Sequence, residues 1–304
     1  MPACNISLFN FGARFVIKAL VTGSSGFVGF WVCKELLNNG FRVIGLDDLD
    51  PYYDVNIKVA REKVLEEYES FSVVRGRLEV EGLLSDMFAR EMPELVIHLA
   101  AQAGVRHSID SPRTYLDSNV VGTYELLEAC RKYTPKHLMI ASTSSAYGAN
   151  LEMPYKENFR ADHQMSFYAA TKKATESFAH SYSHLFNIPT TVFRFFTVYG
   201  PWGRPDMALF KFTKAILAGE KFDLYNAGEM TRDFTYVEDL ARSIFLLAEQ
   251  VPAKPGGSNS FENDSLSPVA PWRLVNLGNN ESVELLRFVR AIEKATGNIA
   301  SYNS

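Results

Sequence analysis

Cysteine is scarce in this chain, with three in 304 residues at Cys4, Cys33 and Cys130. So few and so scattered, they exclude a disulfide-stapled scaffold and offer no zinc-ligand spacing. Neither sign of charge dominates: 31 Lys plus Arg face 35 Asp plus Glu, for a formal net charge of −4. Such a balance lacks the basic footprint of a nucleic-acid-binding protein. Long hydrophobic runs are missing too. Arg14 and Lys18 punctuate the most apolar early stretch, which leaves it too short for a membrane span or a secretory signal. A cytoplasmic protein is therefore expected. What is present is a 47% hydrophobic complement, which suits a sizeable core and rules out disorder, coiled coil and collagen.

Hydrophobic spacing predicts strands over 15–21, 42–46, 72–75, 94–99, 137–142 and 190–195, and helices over 27–37, 55–69, 114–132 and 168–185. Strand and helix alternate, and right-handed crossovers between such units build a mostly parallel sheet covered on both faces. The expected fold is α/β, a doubly wound parallel sheet of the Rossmann type, with a smaller mixed α/β substrate lobe. A cofactor domain is placed over 14–196 and the lobe over 197–304, interleaved with the first. Within the lobe, helices are expected over 207–218, 237–249 and 282–295, and the Pro-, Gly-, Ser- and Asn-rich stretch 251–271 reads as an exposed loop. No internal repeat is visible.

Val21-Thr22-Gly23-Ser24-Ser25-Gly26-Phe27-Val28-Gly29 sets three glycines at the turn from the first strand into the first helix. Glycine there lets backbone N–H groups approach a pyrophosphate at a helix N-terminus. The spacing is G-x-x-G-x-x-G and would be weak alone, since such turns often just close a corner. About 18 residues beyond Gly29, however, Asp47 ends the second strand, where a carboxylate accepts hydrogen bonds from an adenosine ribose and repels a 2′-phosphate. NAD is favoured over NADP. Further on, Tyr168 and Lys172 stand one turn apart on one helix face, and the run Ser142-Thr143-Ser144-Ser145 ends the preceding strand at the ligand-binding edge of the sheet. A phenol near its ordinary pKa of about 10 is a poor base, but a neighbouring ammonium and a positive nicotinamide would stabilise its phenolate. Thr143 could then share the proton of a substrate hydroxyl.

The glycine turn, Asp47, His98-Leu99-Ala100-Ala101-Gln102-Ala103-Gly104-Val105-Arg106, the Ser/Thr run before Ala146-Tyr147-Gly148, and Tyr168 to Lys172 together resemble the extended short-chain dehydrogenase/reductase superfamily. More narrowly, Gly45 to Asp54, Arg194 to Met207 and Arg232 to Val237 resemble the NAD-dependent UDP-glucuronate 4-epimerases. The resemblance implies that Tyr168 removes the sugar 4-hydroxyl proton while hydride passes from C4 to NAD, and that the 4-keto sugar turns over and takes hydride back on its other face. It implies a catalytic group of Thr143, Tyr168 and Lys172, with Gly23, Gly26, Phe27, Val28, Gly29, Asp47, Ala100, Tyr168 and Lys172 against NAD. Arg232 would face the UDP pyrophosphate, a role suited to a bidentate guanidinium. A 4-keto uronic acid is a β-keto acid and can lose carbon dioxide. Related decarboxylases and 4,6-dehydratases carry acids immediately after the catalytic Thr, where this chain has Ser144 and Ser145. The resemblance assigns these two serines, Thr197 and Arg204 to the substrate carboxylate, and Arg106 as a further substrate candidate. A homodimer through two helices on the sheet flank is also implied.

Other features take the ordinary reading. Asp48 and Asp50 fit a solvated turn, and His180 and His184, four apart on a helix, have no third ligand in sight, so no metal is expected. The aromatic run Phe193, Phe195, Phe196, Tyr199 and Trp202 fits a buried strand better than a base-stacking platform. Sequons at Asn5 and Asn280 carry no weight without a secretory signal. Two departures stand out against the family. Val74-Arg75-Gly76-Arg77-Leu78 lacks the usual acid near the adenine, and the chain ends at Ser304, soon after the helix containing Glu284 to Lys294, where relatives continue. An incomplete lobe is thus an expectation, with two alternatives kept beside the epimerase: another nucleotide-sugar epimerase, dehydratase or decarboxylase, or a non-catalytic NAD-binding protein.

Overall fold

The computed structural model describes residues 16–224, 230–254 and 264–303. In chain order its strands and helices are β1 (Lys18–Thr22), α1 (Phe27–Asn38), β2 (Arg42–Asp47), α2 (Val55–Leu65), β3 (Phe71–Arg75), α3 (Leu83–Glu91), β4 (Leu95–His98), α4 (His107–Asp110), α5 (Pro112–Tyr115) and α6 (Gly122–Lys132). There follow β5 (His137–Thr143), α7 (Phe167–Phe186), β6 (Thr190–Phe195), β7 (Thr197–Tyr199), α8 (Ala208–Ala218), β8 (Lys221–Asp223), β9 (Thr231–Tyr236), α9 (Val237–Ala248), β10 (Trp272–Leu277), β11 (Ser282–Glu284), α10 (Leu285–Thr296) and β12 (Ser301–Asn303).

Seven strands form one parallel sheet in the order β10-β6-β5-β4-β1-β2-β3. This is the doubly wound arrangement read from the sequence, and the strand order reverses between β1 and β4, where such sheets bind ligands. Period-two alternation divides the core between the two faces. Ala19, Val21, Ile97 and Met139 pack beneath α1 and α9, whereas Leu20, Val96, Leu138 and Ile140 pack against residues of α3, α6 and α7. The lobe holds its own cluster, in which Phe212 and Ile216 of α8 meet Leu285, Val289 and Ile292 of α10. Its strands form a mixed sheet, β11-β9-β7, and a parallel pair, β12-β8.

Several boundaries differ from the sequence reading. The helix expected over 55–69 stops at Leu65, and the one expected from 282 begins at Leu285, because Ser282–Glu284 pairs with β9 as a strand. The span 114–132 is not one helix: a π-helical segment, Leu116–Val121, joins α5 to α6. There Asn119 accepts the Gln102 N–H at 2.7 Å and donates to the Gln102 carbonyl at 3.1 Å, so the widened turn lets one side chain pair with a neighbouring loop. Helix α3 and strand β10 were not expected at all. The described flanks of 251–271 contain no helix or strand, yet Ser267 and Ala270 are buried rather than exposed. His180 and His184 of α7 hold that stretch through Ser267 Oγ at 2.9 Å and the Val269 carbonyl at 2.8 Å, and Arg273 grips Asp264 bidentately. Phe15, Cys4 and the Asn5 sequon lie outside the described residues.

Candidate active site

A cleft of about 300 Å³ runs along the carboxyl ends of β1, β2, β4, β5 and β6. At one end the glycine turn is packed too tightly for any side chain. A Cβ on Gly29 would fall 1.9 Å from the Gly23 carbonyl oxygen, and one on Gly23 would fall 2.8 Å from the Ala100 nitrogen. No side chain caps α1, whose N-cap is Gly26, so the first-turn amides of Phe27, Val28 and Gly29 border the cleft as a cradle for anionic oxygens. Asp47 borders it at the end of β2, accepting the backbone N–H of Ser25 at 3.0 Å and of Leu49 at 2.9 Å. Burial raises the Asp47 carboxyl above its ordinary value, and these two amides together with the Lys58 charge oppose that. Asp48 and Asp50 each accept the N–H two residues on, which makes them turn-formers. Among the described residues no cluster of three His, Cys, Asp or Glu is arranged to hold a metal.

At the other end stand Thr143, Tyr168 and Lys172. Ser166 caps α7, its Oγ accepting the Ala169 N–H at 3.1 Å, and so starts the helix in register to aim Tyr168 and Lys172 into the cleft. Burial pushes the Tyr168 phenol up; a hydrogen bond with Thr143 and the nearby Arg204 guanidinium pull it the other way. The same burial brings the Lys172 ammonium down to about 8, against the opposing charge of Glu176. Behind these groups, His98 is held down to about 3, first by burial and then by Lys172. It is therefore neutral. Thr123 spends its proton on the Asn119 carbonyl at 2.6 Å, so Nε2 of His98 must donate to Thr123 at 3.1 Å and Nδ1 must accept from Thr22 at 2.8 Å.

Arg204 lines the cleft beside Tyr168, although it follows β7 in the lobe. Ser144 and Ser145 form a 3-10 turn directly after Thr143, whose Oγ1 accepts the Ser145 N–H at 3.2 Å. Thr197, on β7, borders a separate small apolar pocket with Phe27 and Phe234. Of the expected substrate residues Arg204 alone is on the cleft wall; Ser144, Ser145 and Thr197 are not, and two more are exposed away from it. Arg106 is exposed before α4, and Arg232 is exposed on β9 with its guanidinium on the Thr231 carbonyl at 2.9 Å. The structure also adds residues that the sequence reading passed over. Arg61, fully buried on α2, donates to the Ser25 carbonyl at 3.0 Å, to the Tyr53 hydroxyl at 2.7 Å and to the Trp202 carbonyl at 2.6 Å. One guanidinium thus ties the glycine turn to the loop carrying Arg204. Nothing in the spacing of the sequence signals that link, which spans 141 positions from Arg61 to Trp202.

The profile of the NAD dependent epimerase/dehydratase family matches residues 19–259. The chain belongs to that family. NAD is accordingly its cofactor, and the glycine cradle, the uncapped helix and Asp47 fit that dinucleotide. A probable UDP-glucuronate 4-epimerase of Rhizobium meliloti is 49% identical over 288 residues, covering 94% of this chain and 84% of that protein. Similar too is UDP-glucuronate 4-epimerase 4 of Arabidopsis thaliana, at 43% over 91% of this chain and 63% of the plant protein. Among solved structures, UDP-glucuronic acid 4-epimerase from Bacillus cereus in complex with UDP-glucuronic acid and NAD superposes with a TM-score of 0.82 at 31% identity, over 94% of this chain and 85% of that one. A UDP-glucose 4-epimerase from Thermotoga maritima with UDP-glucose gives 0.78 at 28%, with coverages of 94% and 85%.

Proposed function

We propose that this member of the family interconverts UDP-glucuronate and UDP-galacturonate by NAD-dependent epimerisation at C4, through a transient 4-keto sugar. The observation that carries the reading is the cleft itself, in which the hydrogen-bonded Thr143 and Tyr168, with Lys172, share one wall with Arg204 and continue into the glycine cradle. The relatives named as UDP-glucuronate 4-epimerases support it. The glycine cradle and Asp47 would hold NAD, which would supply the acceptor and donor for the C4 hydride. Tyr168 takes the proton of the 4-hydroxyl on its Oη and gives it back, Thr143 shares that proton, and the Lys172 ammonium steadies the phenolate. Ser144, Ser145, Thr197 and Arg204 hold the uronate carboxylate so that it is not lost as carbon dioxide. The uncharged serines suit this, since an acid there would repel the carboxylate or deliver a proton to a neighbouring carbon. Arg232 is assigned to the diphosphate and Arg106 to the substrate's outer side. Residues 14–196 serve the cofactor and 197–304 the sugar nucleotide, interleaved because β10 rejoins the large sheet.

Incubating the purified protein with UDP-glucuronate and NAD, with products identified by NMR, is expected to yield UDP-galacturonate. A pentose product would move the reaction to decarboxylation, and no sugar product at all would favour a non-catalytic NAD-binding protein. We also propose a cytoplasmic homodimer, for which the half-exposed Tyr124 of α6 and the exposed Phe178, Leu185 and Phe186 of α7 supply an apolar face, and the buried thiols Cys33 and Cys130 suit a reducing compartment. Sedimentation should give twice the chain mass; Phe178→Glu should halve it.

A further inference from the structure

Arg204 and Lys172 are the cations at the catalytic end of the cleft, and Arg204 is already engaged. Its Nε and Nη2 donate to Oδ1 and Oδ2 of Asp206 at 3.0 and 2.6 Å, a side-on grip that uses the edge of the guanidinium best shaped for a carboxylate. The acid that fills the fork comes from the same short loop, and both side chains keep some exposure, 19% for Arg204 and 27% for Asp206. Tyr52 underlies the pair. Its ring lies 5.3 Å from the Arg204 guanidinium carbon, and its hydroxyl shares a hydrogen bond with Asp206. Stacking on Tyr52 therefore orients Arg204 whether or not Asp206 holds it, so the aspartate is not required to aim the guanidinium. Around them, Tyr168 feels the charge of Arg204, which places the fork within electrostatic reach of the phenol that works on the sugar.

We propose that Asp206 is a built-in competitor for the substrate's carboxylate: it keeps the Arg204 fork filled in the free protein and yields it to a ligand that brings a carboxylate on the reacting sugar. The proposal rests on the uronate reading given above. A neutral hexose cannot take the fork from Asp206, whereas a uronate exchanges one carboxylate for another at little cost in charge. The empty site is thereby spared an unpaired cation, and ligands are sorted by the group at C6. Both partners keep some exposure, so a dissolved uronate can reach the guanidinium and compete with Asp206 for it.

Titration calorimetry of the NAD-loaded protein tests this with two ligands, UDP-glucuronate and UDP-glucose. Asp206→Asn is expected to bind UDP-glucuronate roughly fivefold more tightly, the size of one partly exposed ion pair removed from competition, and to leave UDP-glucose unchanged. Asp206→Ser should behave alike, and thermal unfolding checks that both variants fold. An unchanged or weakened affinity for UDP-glucuronate, or an equal gain for UDP-glucose, overturns the competitor role. Turnover of UDP-glucuronate by the unsubstituted protein separates the two ideas. With UDP-galacturonate formed and Asp206→Asn unaltered in affinity, only the competitor role fails; with no preference for the uronate and no turnover, both fail.

Discussion

Replacing Tyr168 with phenylalanine is expected to slow C4 epimerisation by about 10²- to 10⁴-fold, the range over which a positioned acid–base group contributes, while the protein keeps its NAD. The substitution removes one oxygen from a ring that stays packed edge-on to Tyr115, 6.0 Å away, so the cleft keeps its shape. Only the proton acceptor disappears. In the ligand-free protein burial raises the Tyr168 phenol, and the groups opposing that are Thr143 and Arg204. Lys172 at about 8 is mainly cationic at neutral pH and adds to them once proton transfer begins. Single-turnover rates followed by NMR, with NAD released from the denatured protein and counted, check both halves. Turnover near that of the unsubstituted protein would remove Tyr168 from the mechanism.

Removal of the Glu176 carboxylate should do the greatest harm to stability. Glu176 and Arg194 form a buried bidentate pair at 2.8 and 2.7 Å, their side chains 2% and 1% exposed, and Ser142 adds a third hydrogen bond at 2.6 Å. The Arg194 guanidinium also lies over the Tyr147 ring, 4.3 Å from its centroid. Glu176→Ala strands that cation inside the sheet–helix interface, at a cost of about 3–5 kcal/mol, read as a lower urea midpoint at fixed NAD concentration. A shift below about 1 kcal/mol would mean that water reaches and solvates the stranded guanidinium. Burial alone would raise the Glu176 carboxyl, but hydrogen bonds and charge from Arg194, with help from Ser142, bring it below its ordinary value. A carboxyl depressed in the fold stabilises it above the unfolded pKa of about 4.3, and that contribution drains away as pH falls through the folded value. The loss therefore belongs to acid, and Glu176→Gln should flatten that part of the stability profile.

The central strands of the large sheet were legible because they are buried on both faces. All seven residues of β5 are buried, and such strands read as continuous apolar runs. Strand β10 escaped for the opposite reason. Trp272–Leu277 includes Arg273 and Asn276, whose polarity suggests a loop; only the folded chain reveals Asp264 gripping one, and Tyr147, Tyr155 and Glu157 satisfying the other. That the glycine turn and the Thr143, Tyr168 and Lys172 set line one cleft was readable because each sits within one strand-to-helix unit, where spacing along the chain fixes position in space. Arg61 and Tyr52 act across segments joined by folding alone, and no periodicity announces them. Asn119 hid inside an apparently regular helix, since a widened turn costs nothing in hydrophobic pattern.

The return of β10 to the large sheet has a consequence for how the chain could ever be divided. A fragment ending at Phe196 would carry every glycine and acid–base residue of the cleft, but it would leave the backbone edge of β6 open along Thr190–Phe195. It would also bare the surface of α1 and the Phe41 ring that α9 now covers, since Phe245 meets that ring edge-on at 6.1 Å. An unpaired strand edge is a template for another chain. A fragment ending at Phe196 is therefore expected to associate through that edge, and insertions or deletions in the lobe are expected to be tolerated where they still let β10 pair with β6.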